Sequence, residues 1–147
     1  MSLLQGFWLQ GALWGALFVW GSLYFLDPVA NYQGPNGYIG WMILLICAPV
    51  VEEWVFRGWL YDGFRQRLGD KVLIRILYSQ VITRTNAITT GLFTLFHFIS
   101  RDLLSAVMII VPSIVLGGIR EESNLLWPCI LVHMTWNTGW FLVVANV

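Results

Sequence analysis

The chain has 147 residues, of which 58% are hydrophobic and only 11% are charged, whereas a soluble domain carries roughly 25% charged residues. Its formal net charge is zero, so no excess of basic residues points to a nucleic-acid partner. This composition excludes an ordinary water-soluble fold, and the length predicts that residues 1–147 form one domain embedded in a lipid bilayer.

Five apolar stretches follow one another along the chain. They are Leu3–Leu26, Tyr38–Phe64, Thr85–Ile99, Asp102–Ile119 and Leu125–Val147. The segment between the second and third, Arg65–Arg84, carries aliphatic residues at helical spacing, which predicts an amphipathic helix at the membrane interface. We therefore expect an all-α, polytopic membrane helix bundle with about five transmembrane helices and one interfacial helix.

Basic residues indicate how these helices are oriented. Five of the eight Lys and Arg residues lie between the second and third apolar stretches. The positive-inside rule predicts that this connection is cytoplasmic and that the N-terminus is cytoplasmic too. We expect the protein to be an integral component of a bacterial-type inner (plasma) membrane.

Two adjacent glutamates, Glu52 and Glu53, fall inside the second apolar stretch. A charge at the centre of a bilayer costs roughly 2.5–3.5 kcal/mol on insertion scales, so intramembrane carboxylates indicate function by default. Arg57 follows Glu53 by about one helical turn, which predicts an ion pair on one helix face. We expect Glu53 to neutralise Arg57, and Glu52 to point into a cavity and act as a general base.

The two histidines of the chain, His97 and His133, both lie inside apolar stretches. Asn137 follows His133 by about one turn, so the imidazole and the carboxamide share a helix face and can both donate to an oxyanion. Glu52, His97 and His133 lie at equal sequence distances from flanking basic residues. At 1.5 Å per residue this predicts a common depth of roughly 20 Å.

These residues resemble the motifs of the CPBP family, which comprises CAAX proteases and bacteriocin-processing enzymes and is also called the Abi family. Its first motif, EExxxR, is matched by Glu52 through Arg57. Its second, FxxxH, is matched by Phe93 through His97, and its third, HxxxN, by His133 through Asn137. The resemblance covers about residues 47–140.

The resemblance implies an intramembrane endopeptidase that hydrolyses a peptide bond in a membrane-associated protein or peptide. Glu52 and His97 would activate a water molecule, and His133 with Asn137 would form the oxyanion hole. It also implies that the reaction is of the glutamate type and needs no cofactor.

The supporting residues and the metal requirement follow from the same resemblance. Glu53 and Arg57 would organise the site. A zinc-dependent variant stays open, because Glu52, His97 and His133 form a workable set of two histidines and one carboxylate.

Further alternatives stay open, and one is a transporter or proton relay, because glutamate and histidine residues lie within apolar stretches. Cys129 lies about one turn before His133 and is the nearest candidate for a thiol nucleophile. A non-catalytic membrane protein that binds a peptide or confers bacteriocin self-immunity is the alternative function. Only one full apolar stretch precedes the first motif, so a homodimer or a partner subunit is a further expectation.

Overall fold

The computed structural model describes residues 37–75, 81–99 and 103–144. These residues are mostly helical, as the composition predicts, and they include one small antiparallel sheet. In chain order the elements are α1 (Gly37–Leu68), β1 (Val72–Arg75), β2 (Val81–Thr83), α2 (Arg84–His97), α3 (Leu103–Met108), α4 (Ile110–Ser123) and α5 (Trp127–Val144). The predicted span Leu3–Leu26 lies outside the described residues.

Two described helical stretches are long and apolar enough to cross a membrane, namely α1 and Leu103–Ser123, which joins α3 and α4. Only 17% of the most apolar window of α1 is buried within the protein, far too little for the core helix of a soluble domain. At 14 residues, α2 is shorter than a hydrocarbon core of about 30 Å requires. The two helical stretches support the predicted membrane protein, and the number of five spans stays a prediction.

The predicted interfacial helix over residues 65–84 is wrong for the part that the structure describes. α1 ends just before Gly69, whose φ of 68° is a backbone conformation that favours glycine. β1 and β2 then pair antiparallel, with Val72 opposite Thr83. The physical reason is local. Gly69 stops the helix, and five of the seven strand residues are β-branched, a side-chain shape that packs well on a pleated surface.

Two π-helical segments interrupt α1, at Ile43–Cys47 and Trp54–Leu60. At the end of the first, the N–H of Ala48 donates to the first carbonyl of the segment. Pro49 follows directly and has no N–H to donate, so the regular α-helical ladder is broken there. The short α-helical turn between the two segments, Ala48–Glu53, carries both glutamates.

The chain divides into two compact units. One comprises Met1–Val51 together with Ile130–Val147, and the other comprises Glu52–Cys129. The first unit holds the start of α1 and most of α5, and the second holds the rest of α1, the β-hairpin and α2 to α4. The motif residues are consequently shared between the units, with the first two motifs in one and the third in the other.

The second unit buries many polar side chains beside its apolar ones. On α2, small polar side chains form a buried stripe that repeats at helical spacing, while exposed positions carry Leu95 and Phe96. The stripe consists of Thr85, Asn86, Thr89, Thr90 and Thr94. Polar groups inside and apolar groups outside are typical of a helix that packs against other helices within lipid.

Candidate active site

Arg57 lies at the centre of a buried polar cluster in the second unit. Its Nη1 donates to Oε1 of Glu53 at 3.2 Å, and the two side chains are 1% and 0% exposed. Its Nη2 donates to Oγ of Ser113 at 2.6 Å and to the Ser113 carbonyl at 3.1 Å. The guanidinium also lies 4.4 Å from the centre of the Phe93 ring. The ion pair expected from the sequence is present, and Arg57 additionally ties α1 to α2 and α4.

Hydroxyl groups extend this cluster into α2. Ser113 Oγ donates to Thr90 Oγ1 at 3.1 Å, and Thr90 Oγ1 donates to Oδ1 of Asn86 at 3.2 Å. Asn86 Nδ2 in turn donates to the carbonyl of Ile114 at 3.1 Å. Because buried polar groups are costly when unpaired, this chain of bonds fixes how α2 is rotated against α4.

The two adjacent glutamates have different surroundings. Glu53 is completely buried and pairs with Arg57, whereas Glu52 is only partly buried. Successive residues on a helix point in different directions, which separates the two carboxylates. The buried cation is therefore neutralised by Glu53, and Glu52 is not needed for that purpose.

His97 ends α2, is buried and has a defined tautomer. Its Nδ1 lies 2.9 Å from the carbonyl oxygen of Phe93. A carbonyl only accepts hydrogen bonds, so Nδ1 carries the proton, and in the neutral imidazole Nε2 presents a lone pair. The ring also packs against Phe93, with the ring centres 4.5 Å apart. This arrangement suits Nε2 to accept a proton or to bind a metal.

Arg120 is a second buried arginine, and the sequence did not predict its burial. Its Nε donates to the carbonyl of Arg57 at 2.9 Å, and its Nη2 pairs with Oδ1 of Asp62 at 2.8 Å. The Arg57 carbonyl belongs to the second π-helical segment, so Arg120 stabilises the part of α1 that follows the glutamates. A lone arginine at the end of an apolar stretch usually lies at the membrane interface, so the sequence position of Arg120 does not predict that it is buried.

The third motif lies on α5, in the first unit. His133 is buried and Asn137 is partly buried, and the two share one face of the helix. Asn137 Nδ2 donates to the carbonyl of Leu44 at 3.5 Å. This contact ties α5 to the first π-helical segment of α1.

The zinc alternative stays a prediction. Among residues 37–75, 81–99 and 103–144, no group of three or more His, Cys, Asp or Glu side chains has the geometry of a metal site. The three expected ligands, Glu52, His97 and His133, come from both units.

Cys129 has the surroundings of a structural thiol. It is completely buried, and its Sγ donates to the carbonyl of Leu116 at 3.4 Å. Reactive thiols are partly exposed and lie in electropositive surroundings. The burial of Cys129 therefore argues against the thiol mechanism.

Comparison with known proteins identifies a family. The family model described as type II CAAX prenyl endopeptidase Rce1-like matches residues 34–139, more than half of the chain. The matched range contains all three motifs, so it confirms the family to which the motifs point. No curated protein and no solved structure matches the chain at a significant level.

Proposed function

The chain belongs to the type II CAAX prenyl endopeptidase Rce1-like family, and we propose that it is an intramembrane endopeptidase in which glutamate and histidine activate water. Its substrate is a membrane-associated protein or peptide, cleaved within or at the bilayer. The observation that carries the mechanism is the 2.9 Å contact between Nδ1 of His97 and the carbonyl oxygen of Phe93, from which the tautomer is inferred.

In the proposed reaction, Glu52 and the Nε2 lone pair of His97 polarise one water molecule. The water oxygen attacks the carbonyl carbon of the scissile peptide bond, and its proton passes to Glu52. His133 and Asn137 donate hydrogen bonds to the oxyanion that forms. The C–N bond then breaks, and the proton held by Glu52 is delivered to the leaving amine.

The buried cluster around Arg57 has a supporting role in this proposal. Glu53 neutralises Arg57, and Arg57 holds α1 against Ser113 of α4. The cluster thus fixes the helical turn that carries Glu52. Neither Glu53 nor Arg57 is proposed to touch the substrate.

The first test compares peptide termini in the membrane and secreted proteomes of cells that express the wild-type protein or Glu52→Gln at equal levels. The matched control is Glu122→Gln, the same chemical change at an exposed glutamate. We expect uncleaved tails, or missing fragments, in Glu52→Gln alone, and these termini would also identify the substrates. Identical termini in all three strains, under conditions in which deletion has a phenotype, would favour the peptide-binding or self-immunity role.

A further inference from the structure

Pro49 has no backbone N–H, so one hydrogen bond within α1 is missing. In a π-helical segment each N–H donates to the carbonyl five residues earlier, as the N–H of Ala48 does to the carbonyl of Ile43. In that register the carbonyl of Leu44 would receive the N–H of residue 49. Proline has no N–H, so the helix does not supply this donor.

The carboxamide of Asn137 supplies a donor to the same carbonyl. Its Nδ2 lies 3.5 Å from the Leu44 oxygen, and both residues belong to the first unit. Because a carbonyl only accepts, the contact requires Nδ2 rather than Oδ1 to face Leu44. The carboxamide is planar, so holding one N–H of Nδ2 also fixes the direction of the other.

We propose that Pro49 is a positioning residue for Asn137: by withholding a backbone donor, it keeps the Leu44 carbonyl as the acceptor that orients Nδ2. This inference rests on the proposed function, in which the second N–H of Asn137 contacts the oxyanion. Pro49 itself touches no reacting atom. A donor that is already oriented stabilises the oxyanion without reorganisation, so Pro49 acts on kcat rather than on KM.

The substitution Pro49→Ala returns an N–H that competes with Asn137 for the Leu44 carbonyl. Alanine is a far better helix former than proline in a helix interior, and this gain offsets the packing lost when the fully buried Pro49 side chain is shortened, so we expect the unfolding temperature to change little. We expect kcat to fall roughly tenfold at unchanged KM, the size of effect produced by losing one hydrogen bond. Lower activity without lower stability is an outcome that a merely structural role of Pro49 does not produce.

Two further variants test whether the loss of kcat in Pro49→Ala acts through Asn137. Pro128→Ala removes a proline from the first turn of α5, where an N–H has no intrahelical partner, and should leave kcat unchanged. Pro49→Ala in an Asn137→Ala background should cause no further loss, because the positioned group is gone. An unchanged kcat in Pro49→Ala, or an equal loss in both backgrounds, would overturn the inference.

A spectroscopic measurement separates this inference from the proposed function. In protein labelled with ¹⁵N at asparagine, the side-chain NH₂ signals of Asn137 are identified by their absence in Asn137→Ala. We expect Pro49→Ala to shift these signals and Pro128→Ala to leave them in place. Shifted signals in a protein without proteolytic activity would support the contact and overturn the proposed function. Signals that do not shift in Pro49→Ala would overturn the inference whatever the activity.

Discussion

The side chain of Asn86 fills the space beside Gly117 so completely that a β-carbon on Gly117 would lie 2.0 Å from Asn86 Oδ1. Asn86 is on α2 and Gly117 on α4, so the missing side chain is what lets the two helices approach. The same asparagine accepts from Thr90 and donates to the Ile114 carbonyl. Close packing and the polar cluster therefore depend on one glycine.

We predict opposite effects of the same substitution at two neighbouring glycines. Gly117→Ala should destabilise the protein by about 1–3 kcal/mol, because the new methyl group overpacks the contact with Asn86. A β-carbon on Gly118 meets nothing within 4 Å, so Gly118→Ala should be neutral or stabilising by up to about 1 kcal/mol. Thermal unfolding in detergent, followed by tryptophan fluorescence, measures both. Equal unfolding temperatures of the two variants would contradict the prediction.

A second prediction concerns the burial of Arg57. Arg57→Met leaves the Glu53 carboxylate buried without its partner, and breaking such a pair costs about 3–5 kcal/mol. Arg67 lies on the same helix and is exposed, so Arg67→Met should change stability by no more than about 0.5 kcal/mol. Thermal or denaturant unfolding of both variants provides the comparison. A small effect at both positions would show that the cluster does not stabilise the fold.

A third prediction separates the two adjacent glutamates. Glu52→Gln should lower kcat by about 10²–10⁴, the range for loss of a general base, with little change in unfolding temperature. Glu53→Gln should instead lower the unfolding temperature, because it leaves the buried guanidinium of Arg57 uncompensated. Both variants are assayed for peptide cleavage and for thermal unfolding. The division of roles is refuted if Glu52→Gln unfolds the protein or Glu53→Gln leaves its stability unchanged.

A fourth prediction concerns the two partners of the Arg120–Asp62 pair, whose side chains are 10% and 47% exposed. Arg120→Gln removes a buried donor from the Arg57 carbonyl and should cost about 1–3 kcal/mol. Asp62→Asn affects an exposed carboxylate that water can replace, and should cost less than about 1 kcal/mol. The free energies of unfolding of the two variants test this asymmetry. Equal losses would mean that the ion pair, rather than the bond to Arg57, is what stabilises this end of α1.

A fifth prediction concerns metal. The proposed mechanism needs none, so cleavage by the purified protein should survive incubation with EDTA and with 1,10-phenanthroline. Elemental analysis should find zinc well below one equivalent. Activity lost to chelation and restored by zinc would instead assign Glu52, His97 and His133 as ligands.

Relationships within one helix were predictable from the sequence. Glu53 and Arg57 are four positions apart, and the helical period alone brings them together. The second partner of Arg57 is Ser113 on another helix, and helical spacing carries no information about it. The burial of Arg120 was missed for the same reason, since Asp62 and the Arg57 carbonyl are distant in sequence.

Two other features of the sequence agree with the structure. The polar residues of α2 recur at helical spacing, from Thr85 to Thr94, which would have predicted a polar buried face. The aliphatic residues after Leu68 also fit a helical period, which led to the wrong interfacial helix. Gly69 and the β-branched composition of the strands were the better guides there.

The buried polar stripe of α2 bears on how the protein enters the membrane. A helix of 14 residues with four threonines and an asparagine facing inward gains little from partitioning into lipid alone. The Thr89 hydroxyl bonds to carbonyls of α2 itself, but Asn86 and Thr90 have hydrogen-bond partners on α4, at Ile114 and Ser113. We therefore expect that, during biosynthesis, α2 stays beside the insertion machinery until α4 has emerged from the ribosome. α2 would then be stable in the bilayer only as part of the assembled protein.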